Sequence, residues 1–165
     1  TLSVFAYSAT ANTVTSRLLG AGKATEIPQT LLRILKMSVL TLLPILLFFT
    51  LFPREVASIY TDDATLATQS VPVLYTIYVG ALIMAAAMIY FEFVSGTGNT
   101  FIALIMETGV LLFYIVFIYL ATTVFRFHIR WVWCSEWVYS SLILIASIVF
   151  LKWHPWARDT RSKNL

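Results

Sequence analysis

The sequence predicts an all-α fold, a polytopic helical membrane protein, on two observations. Of its 165 residues, 59% are hydrophobic and 12% charged, about half the charged fraction of a soluble domain. The charges are also segregated: residues 1–16, 37–53, 64–91, 93–106, 108–125 and 137–151 carry no Asp, Glu, Lys or Arg. Crossing a hydrocarbon layer of about 30 Å takes roughly 20 apolar residues as α-helix, so these runs supply about five spans and leave no soluble domain. We expect the spans at about 1–19, 34–52, 71–94, 101–123 and 131–153, with a tail over 154–165.

The first span is unusually polar, with Ser3, Ser8, Thr10, Asn12, Thr13, Thr15 and Ser16. Small hydroxyl residues let helices approach closely and bond across an interface or line a wet cavity. No Met precedes Thr1 and the segment opens inside a helix, so the chain reads as a piece of a longer protein. Gly20 and Gly22 then permit a helix end and tight turn, and Glu26 and Pro28 mark a linker running to Arg33 and Lys36. Pro44 should kink the second span. Between Pro53 and Asp63 a polar connection carries a short apolar piece, Val56 to Tyr60, suited to the membrane interface.

The third span ends at Ser95-Gly96-Thr97-Gly98-Asn99-Thr100, a two-glycine turn that makes spans three and four an antiparallel hairpin. Arg126, His128 and Arg130 lead to the fifth span. Trp131, Trp133 and Trp137 at one end of it, and Trp153 and Trp156 at the other, read as interfacial belts.

Five spans place Arg17, Lys23, Arg33 and Lys36 on the same side as Lys152, Arg158, Arg161 and Lys163, leaving Arg54, Arg126 and Arg130 opposite. The richer side, with the C-terminus, is expected to be cytoplasmic. The net charge of +3 is therefore topological, and no nucleic-acid partner is expected. Cys134, His128 and His154 have no ligand spacing, so no metal and no other cofactor is expected. No phosphate-cradling loop or nucleophile–base pair suggests an enzyme.

Three stretches carry a family resemblance: Thr15-Ser16-Arg17-Leu18-Leu19-Gly20-Ala21-Gly22-Lys23, Gly96-Thr97-Gly98-Asn99-Thr100 and Ser135-Glu136-Trp137-Val138-Tyr139. In their order and spacing the chain resembles the C-terminal part of a bacterial MATE (multidrug and toxic compound extrusion) transporter. The resemblance implies the last five transmembrane helices of a six-helix second lobe, with a missing N-terminal lobe of the same transporter as partner. It further implies a multi-pass protein of the bacterial cytoplasmic (inner) membrane that exports cationic or amphipathic small molecules by alternating access, coupled to H⁺ or Na⁺. An acid of the family's sodium-coupled branch would fall near Met84. The alternatives are a lipid or lipid-linked sugar flippase of the wider superfamily, and a non-transporting scaffold or split-transporter subunit.

Acids interrupting apolar spans are the candidate coupling sites. A carboxylate in hydrocarbon pairs, takes up a proton or holds a cation. Glu107, about two turns into the fourth span, is expected to be buried, and Tyr114, seven residues on, shares its face. Glu92 lies four residues before Gly96, and its face continues through Met88, Ala85, Ala81 and Tyr78 as a soft wall suited to varied ligands. Glu136 sits where it could serve a first helical turn or relay a cation. Asn12 could coordinate a cation or pack. The ion-coupling or cavity candidates are thus Glu107, Glu92, Glu136, Asn12, Tyr114, Tyr78 and Met88.

Overall fold

A computed structural model describes residues 2–59, 61, 63–125 and 132–153. The tail and the segment holding Arg126, His128 and Arg130 lie outside the described residues, as do Trp131 and Trp156. The described chain is helical throughout, and four of its helices are long and apolar enough to cross a membrane.

Helix α1, Leu2–Gly20, falls short of those four in hydropathy but is about 28 Å long at 1.5 Å per residue. Its hydroxyls turn back on their own backbone. Ser8 donates to the Phe5 carbonyl, Thr10 to Ala6, Thr13 to Ala9 and Thr15 to Ala11, at 2.7–3.0 Å. Such bonds satisfy the hydroxyl without water, which is how so polar a segment packs inside the bundle. At its end Gly22 takes φ 71°, and the Lys23 N–H reaches the Leu18 carbonyl while Gly22 reaches Leu19. This pairing is the glycine-terminated cap that the sequence predicts.

Helix α2 covers Ile27–Leu51 and continues through Pro44. It therefore starts before the expected residue 34. Pro28 sits in the first turn, where its missing N–H has no helical partner to lose, so it opens the helix instead of marking a linker. Arg33 and Lys36, expected at the end of a basic loop, are exposed residues of the helix itself. After Phe52, α3 (Pro53–Ser58) buries Val56 and Ala57 and packs against the next helix.

Helix α4, Ala64–Gly96, has 33 residues, about 50 Å of helix, and begins seven residues before the apolar onset expected at 71. Asp63 explains the early start: its Oδ1 accepts from the Thr65 N–H at 2.7 Å and the Leu66 N–H at 3.3 Å. Helix α5 spans Thr100–Tyr119 and ends in a π-helical turn, Leu120–Val124, closed by the Phe125 N–H on the Leu120 carbonyl. Helix α6 is Ser135–Trp153, starting later than the expected 131.

The helices assemble around α4, which packs most extensively along α1 and α6 and then along α2. One core joins Ala11, Leu19, Ile27, Leu31, Ile89, Phe93, Val94, Ala103 and Phe150; a smaller one joins Val4, Leu42 and Ala85. The expected hairpin of spans three and four exists at its Gly98 turn (φ 82°), but along its length α5 leans on α6 more than on α4. Of the most apolar stretch of α5 only 6% is buried, against 39% in α4, so most of the α5 surface is left uncovered by the described residues. Trp137, expected in an interfacial belt, packs between helices. It is half-buried, its Nε1 donates to the Thr76 carbonyl at 2.9 Å, and its ring lies where a side chain on Gly80 would be.

A Cβ at Gly96 would stand 2.7 Å from the Asn12 carbonyl oxygen and 3.0 Å from Thr15 Cβ, a backbone contact that cannot give way cheaply. Gly96→Ala is expected to lower stability by about 1–3 kcal/mol through this overpacking, read as a lower thermal unfolding midpoint in detergent. At the other end of α4, the bonds from Thr65 and Leu66 hold the Asp63 carboxyl below the usual Asp value of 3.8. Because the folded value is depressed, the ionised cap's contribution is full above the unfolded value of 3.8 and is lost as pH falls from there through the lowered folded one. Asp63→Ala is expected to speed hydrogen exchange at the Thr65 and Leu66 amides at neutral pH, whereas Asp63→Asn, still a good cap, should largely retain protection.

Candidate functional site

Spacing along α4 places Met84, Met88 and Phe91 with Glu92 on one side of the helix, at steps of three and four residues with Glu92 adjoining. They form one wall of a cavity of about 250 Å³. Phe5 and Ser8 of α1 close a second side, Glu107 of α5 a third, and Tyr139, Ser140 and Ile143 of α6 the fourth. Two acids that are fifteen residues apart in sequence thus meet in one mostly apolar hollow, because the Gly98 turn folds α5 back and α6 fills the gap behind it.

The two acids have different surroundings. Glu92 is half-buried, and its Oε2 accepts from Asn12 Nδ2 at 2.7 Å. One turn further on, Ser16 Oγ donates to the Gly96 carbonyl at 3.0 Å, so α1 and α4 are bonded twice beside the cavity. Glu107 is exposed rather than buried, and forms its wall from the rim. Among the described residues its carboxylate makes no hydrogen bond or ion pair that a ligand would have to break.

The remaining sequence candidates are spread around this cavity. Met88 lines it. Tyr114 does not: its ring packs edge-on against Tyr139, a residue of the cavity wall, with centroids 5.4 Å apart. Tyr114 and Glu136 instead share a neighbouring hollow with Ser135 and Trp133, and Glu136 also borders a third hollow, beside Gly80 and Met84. Met84 belongs to both this third hollow and the acid-lined cavity. Tyr78 is buried on another side of α4, with its ring 5.9 Å from Phe49 and 6.3 Å from Tyr75. Of the expected soft wall, Met88 both lines the cavity and packs, with Ala81, against the smaller core of Val4, Leu42 and the fully buried Ala85.

Sequence reasoning did not select Ser8, Phe5, Phe91, Tyr139 or Ser140. For Ser140 a signal existed: Ser140, Ile143, Ser147 and Phe150 recur at helical spacing and are the buried face of α6. Small residues at that spacing mark a helix packed closely on a neighbour.

Comparison with known proteins bears on the same segment. A family model, MatE, matches residues 1–120, which hold α1 to α5 and with them Asn12, Glu92 and Glu107. Among curated proteins and among solved structures, no match is found.

The Asn12–Glu92 bond joins a carboxylate to an amide across two helices, a class of hydrogen bond worth about 1.5–3 kcal/mol when the acceptor is charged. A double-mutant cycle with Asn12→Ala and Glu92→Ala is expected to show a coupling of about 1–3 kcal/mol in thermal or denaturant unfolding. Strict additivity of the two losses would mean that the bond contributes nothing.

Proposed function

The chain belongs to the MatE family of membrane transporters, and on that premise we propose that it works as part of a secondary active exporter. The cargo is a cationic or amphipathic small molecule, and the driving ion is H⁺ or Na⁺ moving the other way. The observation carrying this reading is the meeting of Glu92 and Glu107 in one apolar cavity between membrane-spanning helices. In a low-dielectric site a carboxylate attracts a cation far more strongly than in water. A carboxylate that takes up a proton or sodium ion loses most of its hold on a cationic cargo. That exclusion is what an exchanger requires.

The two acids divide the work. Glu92, bonded to Asn12, supplies fixed negative charge and ties α1 to α4. Glu107, exposed at the rim, exchanges its partner. Each ligand biases the balance between inward-open and outward-open forms only by the difference in its affinity for the two. Such movement takes place against a second lobe of the same transporter, with the apolar outer faces of α2 and α5 shared between that lobe and lipid. The setting is the bacterial cytoplasmic membrane, with the C-terminus on the cytoplasmic side.

Glu107→Gln keeps the shape of the side chain and removes its charge and titration. In the intact transporter, reconstituted in vesicles with an imposed proton gradient, the variant is expected to show slower efflux with a flattened dependence on pH. Retention of the wild-type pH profile would exclude Glu107 as the proton-exchanging group.

A further inference from the structure

Hydroxyl side chains in these helices follow a common pattern. From Thr10 in α1 through Thr30, Thr41 and Thr50 in α2 to Thr122 in the π turn, each donates to a carbonyl four residues back. That bond is the default for Ser and Thr in a helix and removes the hydroxyl from further use. Ser140 departs from it. The residue is 1% exposed, its Oγ has no hydrogen-bond partner among the described residues, and it lines the cavity that holds Glu92 and Glu107. Ser38 and Ser147 also lack a partner, but neither lines this cavity. A buried hydroxyl without a partner is unfavourable, and a group in the cavity that offers an N–H or accepts an O–H relieves it.

The cavity's other groups suggest the nature of that ligand. Two carboxylates attract positive charge, and the faces and edges of Phe5, Phe91 and Tyr139 suit a cation with an apolar or aromatic body. All of these hold a quaternary ammonium as well as a protonated amine, apart from the hydrogen bonds the carboxylates can take. Ser140 adds a third acceptor group, an uncharged one, from α6.

We propose that Ser140 is a specificity-determining residue of this cavity, its Oγ accepting an N–H from a protonated organic amine, so that such cations are favoured over quaternary ones of equal charge. This rests on the reading of the cavity as a cargo site. A matched pair of probes separates the two ideas: 4-phenylbutylammonium, which has N–H donors, and 4-phenylbutyl(trimethyl)ammonium, which has none. Both are titrated calorimetrically into the intact transporter.

Ser140→Ala is expected to weaken binding of the primary amine by about tenfold, the effect of one charge-assisted hydrogen bond. It should leave the trimethyl compound within about twofold of wild type. Equal weakening of both probes would show that Ser140 acts through packing, and unchanged binding of both that the hydroxyl is met by water; either overturns the proposal. Should Ser140→Ala not fold, Ser140→Cys, of similar size and with a weaker acceptor, carries the same expectation in smaller measure. Glu92→Gln and Glu107→Gln keep the outcomes distinct. If wild type binds both cations and neither acid variant weakens them, the cargo-site reading fails and the Ser140 proposal with it. If the acids matter and Ser140→Ala keeps wild-type selectivity, the Ser140 proposal alone fails.

Discussion

The approach of α1 and α4 at Gly96 is the constraint on which the rest of this helical bundle depends. With no side chain at that position, the backbone of α4 comes so near Asn12 that an added Cβ would stand 2.7 Å from its carbonyl oxygen. At that separation the short side chains of Asn12 and Ser16 span the interface: one reaches Glu92, the other the Gly96 carbonyl. A wider spacing would leave both polar groups short of their partners in surroundings where water is scarce. The same approach sets Phe5 and Ser8, further along α1, against the stretch of α4 from Met84 to Glu92, and so closes one side of the acid-lined cavity.

A second close approach works halfway along α4. Gly80 receives the ring of Trp137, whose Nε1 is bonded to the Thr76 carbonyl one turn away. The indole thus fastens α6 to the middle of α4, while the small buried residues Ser140 and Ser147 let the rest of α6 lie close along it. Helix α5 is then held mainly through α6 and brings Glu107 to the cavity from outside. Of the two acids, one is therefore positioned beside the close approach at Gly96 and the other by a helix with little buried surface.

Much of this architecture was legible in the sequence because hydrocarbon imposes long charge-free runs, and every long helix overlaps at least one of them. Its errors have local causes. Pro28 read as a linker because proline interrupts helices, yet at a first turn it starts one. The onset of α4 was placed too late because hydropathy is blind to a polar cap, and Asp63 begins the helix before the apolar residues do. For the site, Glu92, Glu107 and Asn12 stood out as polar groups in apolar spans. Their grouping did not, since Asn12 and Glu92 are eighty residues apart and meet only in one register of α1 against α4. Ser140 carried still less signal, because a serine in a membrane helix ordinarily bonds its own backbone and only the fold reveals that this one does not.

The unequal fixing of the two acids has a physical rationale under the proposed ion exchange. If both carboxylates were tied by protein donors, neither would gain enough from a cation to offset the bonds it gave up. If neither were tied, two like charges facing one apolar hollow would repel, and the helices bearing them could separate to let water in. Securing Glu92 through Asn12 fixes one charge at a defined point, with part of its hydrogen-bonding capacity met by an amide that carries no net charge. Its electrostatic field in the cavity persists, and Glu107, on a helix with few buried contacts, is left to change partner and position at low cost. Rigidity on α4 and freedom on α5 are thus complementary requirements, and the packing around Gly96 supplies the first while the exposed length of α5 supplies the second.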